Sequence, residues 1–205
     1  MKKQFYLILF IIGIFNSING FCEDNPQQII TLIQPDHTVN IGEVITIPVE
    51  YSVSDGDNKL FGIGISLLYD SSVLEYVTMN IDLVSSAGKP AINVNVPKDD
   101  GHYIEDNDPD TDSIISIAWA AFGIVGSWPN EPLPVKLFDV SFRIKNQQKL
   151  NTKINSIVRV TSPGYVGTAN TAQVLINDIL NGDGNRNKMY DMQDLLILLR
   201  SLVYE

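Results

Sequence analysis

Residues 60–79 read LFGIGISLLYDSSVLEYVTM. The first half of this stretch decides the fold. Phe61, Ile63, Ile65 and Leu67 fall on one side of an extended chain, and Gly62, Gly64, Ser66 and Leu68 on the other. Alternation of period two predicts a half-buried β-strand. Asp70 and the small residues after it end that strand, and a short helical turn begun by Asp70 is expected over 71–76.

The same period runs outward in both directions. Ile29–Ile33 is a short β-rich run, and Val44 to Tyr51 contains the TIPVEY segment. Residues 114–121 alternate from Ile114 through Trp119. In 136–144, Phe138, Val140, Phe142 and Ile144 oppose Leu137, Asp139, Ser141 and Arg143. Residues 155–160 and 171–176 are weaker strands. Turn clusters at 54–58, 99–101, 106–112, 127–134 and 162–167 separate the runs. Helical spacing is nearly absent before Asp191. Short strands divided by turns predict an all-β sandwich or barrel, here over residues 29–176.

Composition narrows the functional classes. The 205 residues are 44% hydrophobic and 19% charged, too apolar for a disordered chain. With 24 Asp+Glu against 14 Lys+Arg, the net charge of −10 argues against a general nucleic-acid binder. One Cys excludes an internal disulfide framework, and two His leave little for a His-based metal or catalytic centre.

At the N-terminus, Lys2 and Lys3 precede an apolar run, Phe5 to Phe15, and then a polar stretch ending at Gly20. This is the order of a secretory signal peptide over residues 1–20. The run is shorter than the roughly 20 residues that cross a bilayer, and no later segment qualifies. Loss of residues 1–20 removes Lys2 and Lys3 and no acids, so the remainder has 12 basic against 24 acidic residues, net −12. Cys22 offers two readings, a lipid-attachment site or a free thiol, and Phe21 before it disfavours the first. An exported protein is expected.

Three stretches together resemble cohesin-like modules. They are VNIGEVITIPVEY at 39–51, the opening stretch at 60–79, and the strands within 115–146 that contain ISIAWAAFG and LPVKLFDVSFRIKN. The resemblance covers roughly 29–176. It implies a jelly-roll β-sandwich in a superfamily that also contains carbohydrate-binding modules. It also implies a protein that binds dockerin modules on an open sheet face.

The C-terminal segment, 177–205, carries a different pattern. Counting from Asp183, positions 1, 3, 5, 7, 9 and 12 are Asp183, Asn185, Asn187, Met189, Asp191 and Asp194. This is the ligand spacing of an EF-hand calcium loop. Calcium takes six to eight hard oxygen ligands, and alternate side chains of a tight loop supply them; position 7 gives its backbone carbonyl, so Met189 is suitable. Lys188 stands at position 6, where a glycine usually makes the sharp turn. A metal-free, Asn/Asp-rich turn capping a helix is the alternative. The LLILLRSLV run that follows predicts an apolar helix that must bury against something, with Leu195, Leu198, Leu199 and Leu202 on one face. Asp at position 12 and a helix only after the loop resemble a single dockerin repeat. That resemblance makes Met192 and Gln193, with Arg200, candidate partner-binding residues. A complete dockerin would carry two repeats.

Other clusters admit bland readings. The acids between Asp99 and Asp112 form either a second calcium site or a solvated loop. Trp119, flanked by Ala118 and Ala120, reads as core. Trp128, in a Ser-Trp-Pro turn, is the candidate surface aromatic for stacking on sugar rings. His37 and His102 lie in separate polar turns without a nucleophile nearby, so no hydrolytic triad is expected.

The sequence thus predicts a secreted, non-catalytic binding or scaffolding protein. Its expected cofactor is calcium, and its partner is a cohesin or dockerin module of another chain. The expected role is calcium-dependent assembly, of the kind that organises extracellular polysaccharide-degrading or cell-surface complexes. The alternative is a carbohydrate-binding module recognising polysaccharide through exposed aromatics.

Overall fold

The computed structural model describes residues 25–83, 90–97, 106–121, 126–145, 150–177 and 191–203. The signal-peptide segment, Cys22, Asp99, His102 and calcium-loop positions Asp183, Asn185, Asn187 and Met189 lie outside the described residues.

Two five-stranded sheets pack face to face. Their strands are β1 (Gln27–Leu32), β2 (Val44–Val53), β4 (Gly62–Tyr69), β5 (Leu74–Ile81), β6 (Ala91–Pro97), β7 (Ser113–Ala120), β9 (Val135–Ile144), β10 (Asn151–Val160), β11 (Val166–Ala169) and β12 (Thr171–Leu175). Sheet one has the order β11-β1-β2-β9-β5 and sheet two the order β12-β10-β4-β7-β6. A small third ribbon joins β3 (Lys59–Leu60) to β8 (Trp128–Pro129). One helix, α1 (Met192–Val203), follows. The expected all-β sandwich is the observed architecture.

The core lies between the sheets and is built by the predicted alternation. Ile45, Ile47, Val49 and Tyr51 of β2 face inward, as do Phe138, Val140, Phe142 and Ile144 of β9. Ile63, Ile65 and Leu67 of β4 and Ile115, Ile117 and Trp119 of β7 meet them from sheet two. At roughly 25 cal/mol per Å² of apolar surface removed from water, this interface is the dominant stabilising term.

Three local expectations change. The strand at 62–69 is buried on both sides rather than half-buried. It is central in sheet two, and its outward residues Gly64 and Ser66 are too short to rise above the neighbouring strands. The expected helical turn at 71–76 shortens: Asp70 Oδ1 accepts from the Ser72 amide at 2.9 Å, and β5 begins at Leu74. Strand β6 lies in a stretch that had drawn no attention, although Ile92, Val94 and Val96 alternate there.

A buried polar junction ties the two sheets together at one end. The Gln28 amide Nε2 donates to Tyr51 Oη at 2.8 Å and to the Gly62 carbonyl at 3.1 Å. The Ser162 amide donates to Gln28 Oε1 at 2.6 Å, and its hydroxyl donates to the Gly62 carbonyl at 3.2 Å. Gln28 is fully buried, so these partners replace the water it has lost. Burial also raises the Tyr51 phenol well above its ordinary value, despite the opposing bond from Gln28.

Candidate functional site

The two outer faces of the sandwich differ sharply in chemistry. On sheet one, register pairs Thr46 with Ser141, Pro48 with Asp139, and Glu75 with Arg143. This face carries compensated charges, together with exposed Val44 opposite Arg143. Lys136 Nζ lies 3.0 Å from Asp82 and 2.8 Å from Asp139, and Arg143 lies 3.3 Å from Glu75.

Sheet two presents the opposite surface. Outward positions pair Gly64 with Ala118, Ser66 with Ser116, and Gly62 with Ala120. Ala91 lies beside Ala118, and Asn93 beside Ser116. The floor is therefore made of the smallest side chains. It is flanked by Val160 at 64% exposure, beside Gly64 across a bulge in β10. Two depressions result. One, of about 320 Å³, is lined by Gly64, Ser66, Ala91, Asn93, Ala118 and Val160 among others. The second, of about 280 Å³, lies beyond the Val160 ridge and is lined by Phe61, Gly62 and Ala120. Gly64, Ala118 and Val160 border both, so they form one concave strip. Arg159 is the one charged residue in its lining.

Packing requires the glycine at 62 and fits the one at 64 closely. A Cβ on Gly62, whose φ is +140°, would sit 2.1 Å from the Trp119 carbonyl oxygen. A Cβ on Gly64 would meet Val160 at 3.2 Å. Small outward residues on β4 and β7 were legible as alternation, but their joint consequence, an apolar floor, needed the register between the strands.

At the far end of the same face, residues 106–112 form an acidic turn. Asp106 and Asp108 each form an Asx-type turn, with Asp106 Oδ1 accepting from the Asp108 amide at 3.2 Å and Asp108 Oδ1 from the Asp110 amide at 3.1 Å. Asn155 Nδ2 donates to Asp106 at 2.8 Å and to Asp108 at 3.2 Å, which ties the turn to β10. No group of three or more metal-ligating acid, His or Cys side chains is present among the described residues.

The candidate sugar-stacking residue is corrected. Trp128 is fully buried. Its ring centroid lies 4.7 Å from that of Tyr51 and 6.1 Å from that of Trp119. The Ser-Trp-Pro turn pairs with Lys59–Leu60 and folds the indole inward over the end of the core. A turn context alone had pointed outward. Trp119, stacked on Phe138 at 6.0 Å, is in the core as expected. Tyr165 packs partly against the core and donates from its hydroxyl to Asp55 at 2.9 Å.

Of the calcium-loop positions, Asp191 and Asp194 are described. Asp191 Oδ1 accepts from the Gln193 amide at 2.8 Å and the Asp194 amide at 3.4 Å, while the Asp191 amide donates to Asp194 Oδ2 at 2.8 Å. This reciprocal pair is a capping box at the start of α1. It is compatible with a calcium loop, where position 9 often acts through water. Asp194 is 5% exposed, a buried carboxylate at the positive end of a helix. Its hard oxygens, and those of the Asp and Asn residues before it in sequence, are the donor type calcium takes.

On α1 itself, Met192, Leu195, Leu196 and Leu199 are 71%, 47%, 50% and 48% exposed. They fall at i, i+3, i+4 and i+7, one face of the helix. Gln193 is exposed beside them, and Arg200 lies on the last turns of α1. Among the described residues, the helix shares no extensive contact with any strand.

The loop at 36–43 holds the remaining titratable cluster. His37 Nδ1 lies 2.9 Å from Asp36 and Nε2 3.0 Å from Glu43. Glu43 also accepts from the Asn40 amide at 2.9 Å. Hydrogen bonds to Asp36 and then Glu43 raise the His37 pKa. The cluster is exposed and close to no nucleophile.

No family model matches the chain, and no curated protein sequence does. The fold is cohesin-like. The seventh ScaB type I cohesin from Pseudobacteroides cellulosolvens superposes with a TM-score of 0.51 at 9% identity, over 74% of this chain and 92% of that one. The sixth cohesin of Acetivibrio cellulolyticus scaffoldin B, solved in complex with a dockerin, gives 0.50 at 15% identity, over 75% and 99%. A type I cohesin–dockerin complex from Clostridium thermocellum gives 0.50 at 14% identity, over 73% and 99%.

Proposed function

We propose that this chain is a secreted, non-catalytic binding module that receives a protein partner on the outer face of sheet two. The observation that carries this reading is the contrast between the two faces. A concave floor of Gly64, Ser66, Ala91 and Ala118, walled by exposed Val160 and Phe61, favours a rounded apolar surface such as a helix. The other face carries the ion pairs of Lys136 and Arg143 beside exposed Val44, and burying those pairs would cost desolvation. The cohesin-like fold supports the same reading, because two of the similar structures are cohesins solved with dockerins.

The C-terminal segment is proposed to hold calcium. Asp183, Asn185, Asn187 and Asp194 would supply side-chain oxygens, Met189 its carbonyl, and Asp191 a water-mediated contact. Bound calcium would supply charge neutralisation for these clustered acids. Asp191 and Asp194 cap α1 and so set where its apolar face begins, and Met192, Gln193 and Arg200 are the residues proposed for recognition. The role that fits is assembly of extracellular complexes, including the polysaccharide-degrading kind.

The test is capture of partners from the secreted proteins of the source organism, with and without a calcium chelator. The unmodified chain is expected to retain a partner that Ala118→Arg loses, since Ala118 is exposed on the floor of the strip. Equal retention by both would overturn the assignment of this face.

A further inference from the structure

We infer that the free edge of β6 pairs with the same strand of a second copy of this chain, antiparallel and about a two-fold axis at Val94. The pairing lies at the rim of sheet two and leaves its outer face open, so it stands apart from the docking face proposed above. Among the described residues, β6 is the last strand of sheet two and pairs only with β7. An edge strand presents unpaired N–H and C=O groups, and proteins blunt such edges by shortness, charge or cover. The other three edges are blunted. β11 has four residues, and β12 has five, with the Val39 amide donating to the Leu175 carbonyl at 2.8 Å. β5 carries Glu75, which Arg143 reaches at 3.3 Å. β6 has seven residues, and none of them is charged. Pro97, without an N–H, stands at its end, and a bulge sets Val94 and Asn95 together against one residue of β7. These features bend and end the edge without placing a charge on it.

The sequence of the edge names the occupant. Residues 92–96, INVNV, read apolar, Asn, Val, Asn, apolar in both directions. Antiparallel pairing about Val94 therefore sets Ile92 opposite Val96 of the second copy, Asn93 opposite its Asn95, and Val94 opposite its Val94. Ile92 is 44% exposed, although its register partner Ile117 is buried, because sheet two ends beside it. A further strand, about 4.8 Å beyond β6, would cover it. Charge favours a copy as well. Each copy carries a net charge of −10, and an uncharged segment lets two of them meet without setting like charges opposite each other. Because the same strand serves on both sides, the interface is isologous. It closes at two copies and joins sheet two of each into one continuous sheet.

Sedimentation of the purified chain from micromolar to millimolar concentration tests this. The sedimentation coefficient is expected to rise to the value for a dimer and no further. Ile92→Lys and Val96→Glu each set a charge against an apolar residue of the second copy, so each alone should stay monomeric. In an equimolar mixture of the two, the new lysine faces the new glutamate and the other apolar contact is unchanged, so dimers should return. That rescue also shows that both variants are folded. A monomer of the unmodified chain at every concentration, growth past a dimer, a dimer in either variant alone, or a mixture that stays monomeric would each overturn the inference. Capture of a foreign partner through Ala118 reads the docking face separately, so failure of the edge pairing and failure of that face are distinguished.

Discussion

Gly62 shows how one residue can serve both the core and the surface. Its carbonyl accepts from Gln28 and Ser162 in the buried junction, and its missing side chain lets β4 approach Trp119. Gly62→Ala would force a Cβ into the Trp119 carbonyl at a backbone angle that disfavours any side chain. It is expected to cost about 3 kcal/mol, read as a lowered urea midpoint at an unchanged slope. A loss below about 0.5 kcal/mol would mean that the close approach is not rigid. His37 offers a second check at this scale. Its folded pKa lies above the ordinary 6.5, so its contribution is full below that value and fades as pH rises through the folded one. Asp36 and Glu43 are held below their ordinary values, and their share is lost as pH falls through those lowered values. The link is thus strongest in mildly acidic solution, between the two limits. An NMR titration should place His37 above 6.5, and Glu43→Gln should bring it down; an unmoved value would contradict the contact.

Strands and helix differ in how legible they were. Period-two alternation located β1, β2, β4, β7, β9, β10 and β12 because their inward residues are large and their outward ones are not. It did not show that β11 runs parallel beside β1, since Gln27 pairs with Val166 across most of the chain. Nor did it show the inward turn of Trp128, which depends on the Leu60 pairing and on space beside Tyr51. The strip was half legible: small residues alternate at 62–66 and 116–120, but only their adjacency makes a floor. The helix and its acidic first turn were legible, because capping and periodicity are local properties, but the expected burial of its leucine face was not, since Leu195 and Leu199 are about half exposed. For the segment before the helix, the expected outcome is calorimetric. Millimolar calcium should release or absorb heat on binding one ion, and Asp183→Ala should abolish the signal. Heat that is absent, or that persists in the variant, would leave Asp191 and Asp194 as a helix cap alone.

At the scale of the whole molecule, the ion pairs of Lys136 and Arg143 lie on sheet one and the floor of small side chains on sheet two. The acidity that marks the composition is concentrated away from the strip, whose one charge is positive. The central claim is that sheet two, and not sheet one, is the docking face. It is tested most directly by titrating the captured partner against two variants, Ala118→Arg on sheet two and Thr46→Arg on sheet one. Both positions are exposed strand sites, so an arginine tests the face rather than the fold. The account predicts that Thr46→Arg binds like the unmodified chain and that Ala118→Arg loses at least about tenfold in affinity, or ~1.4 kcal/mol. Loss in Thr46→Arg with full binding by Ala118→Arg would contradict it.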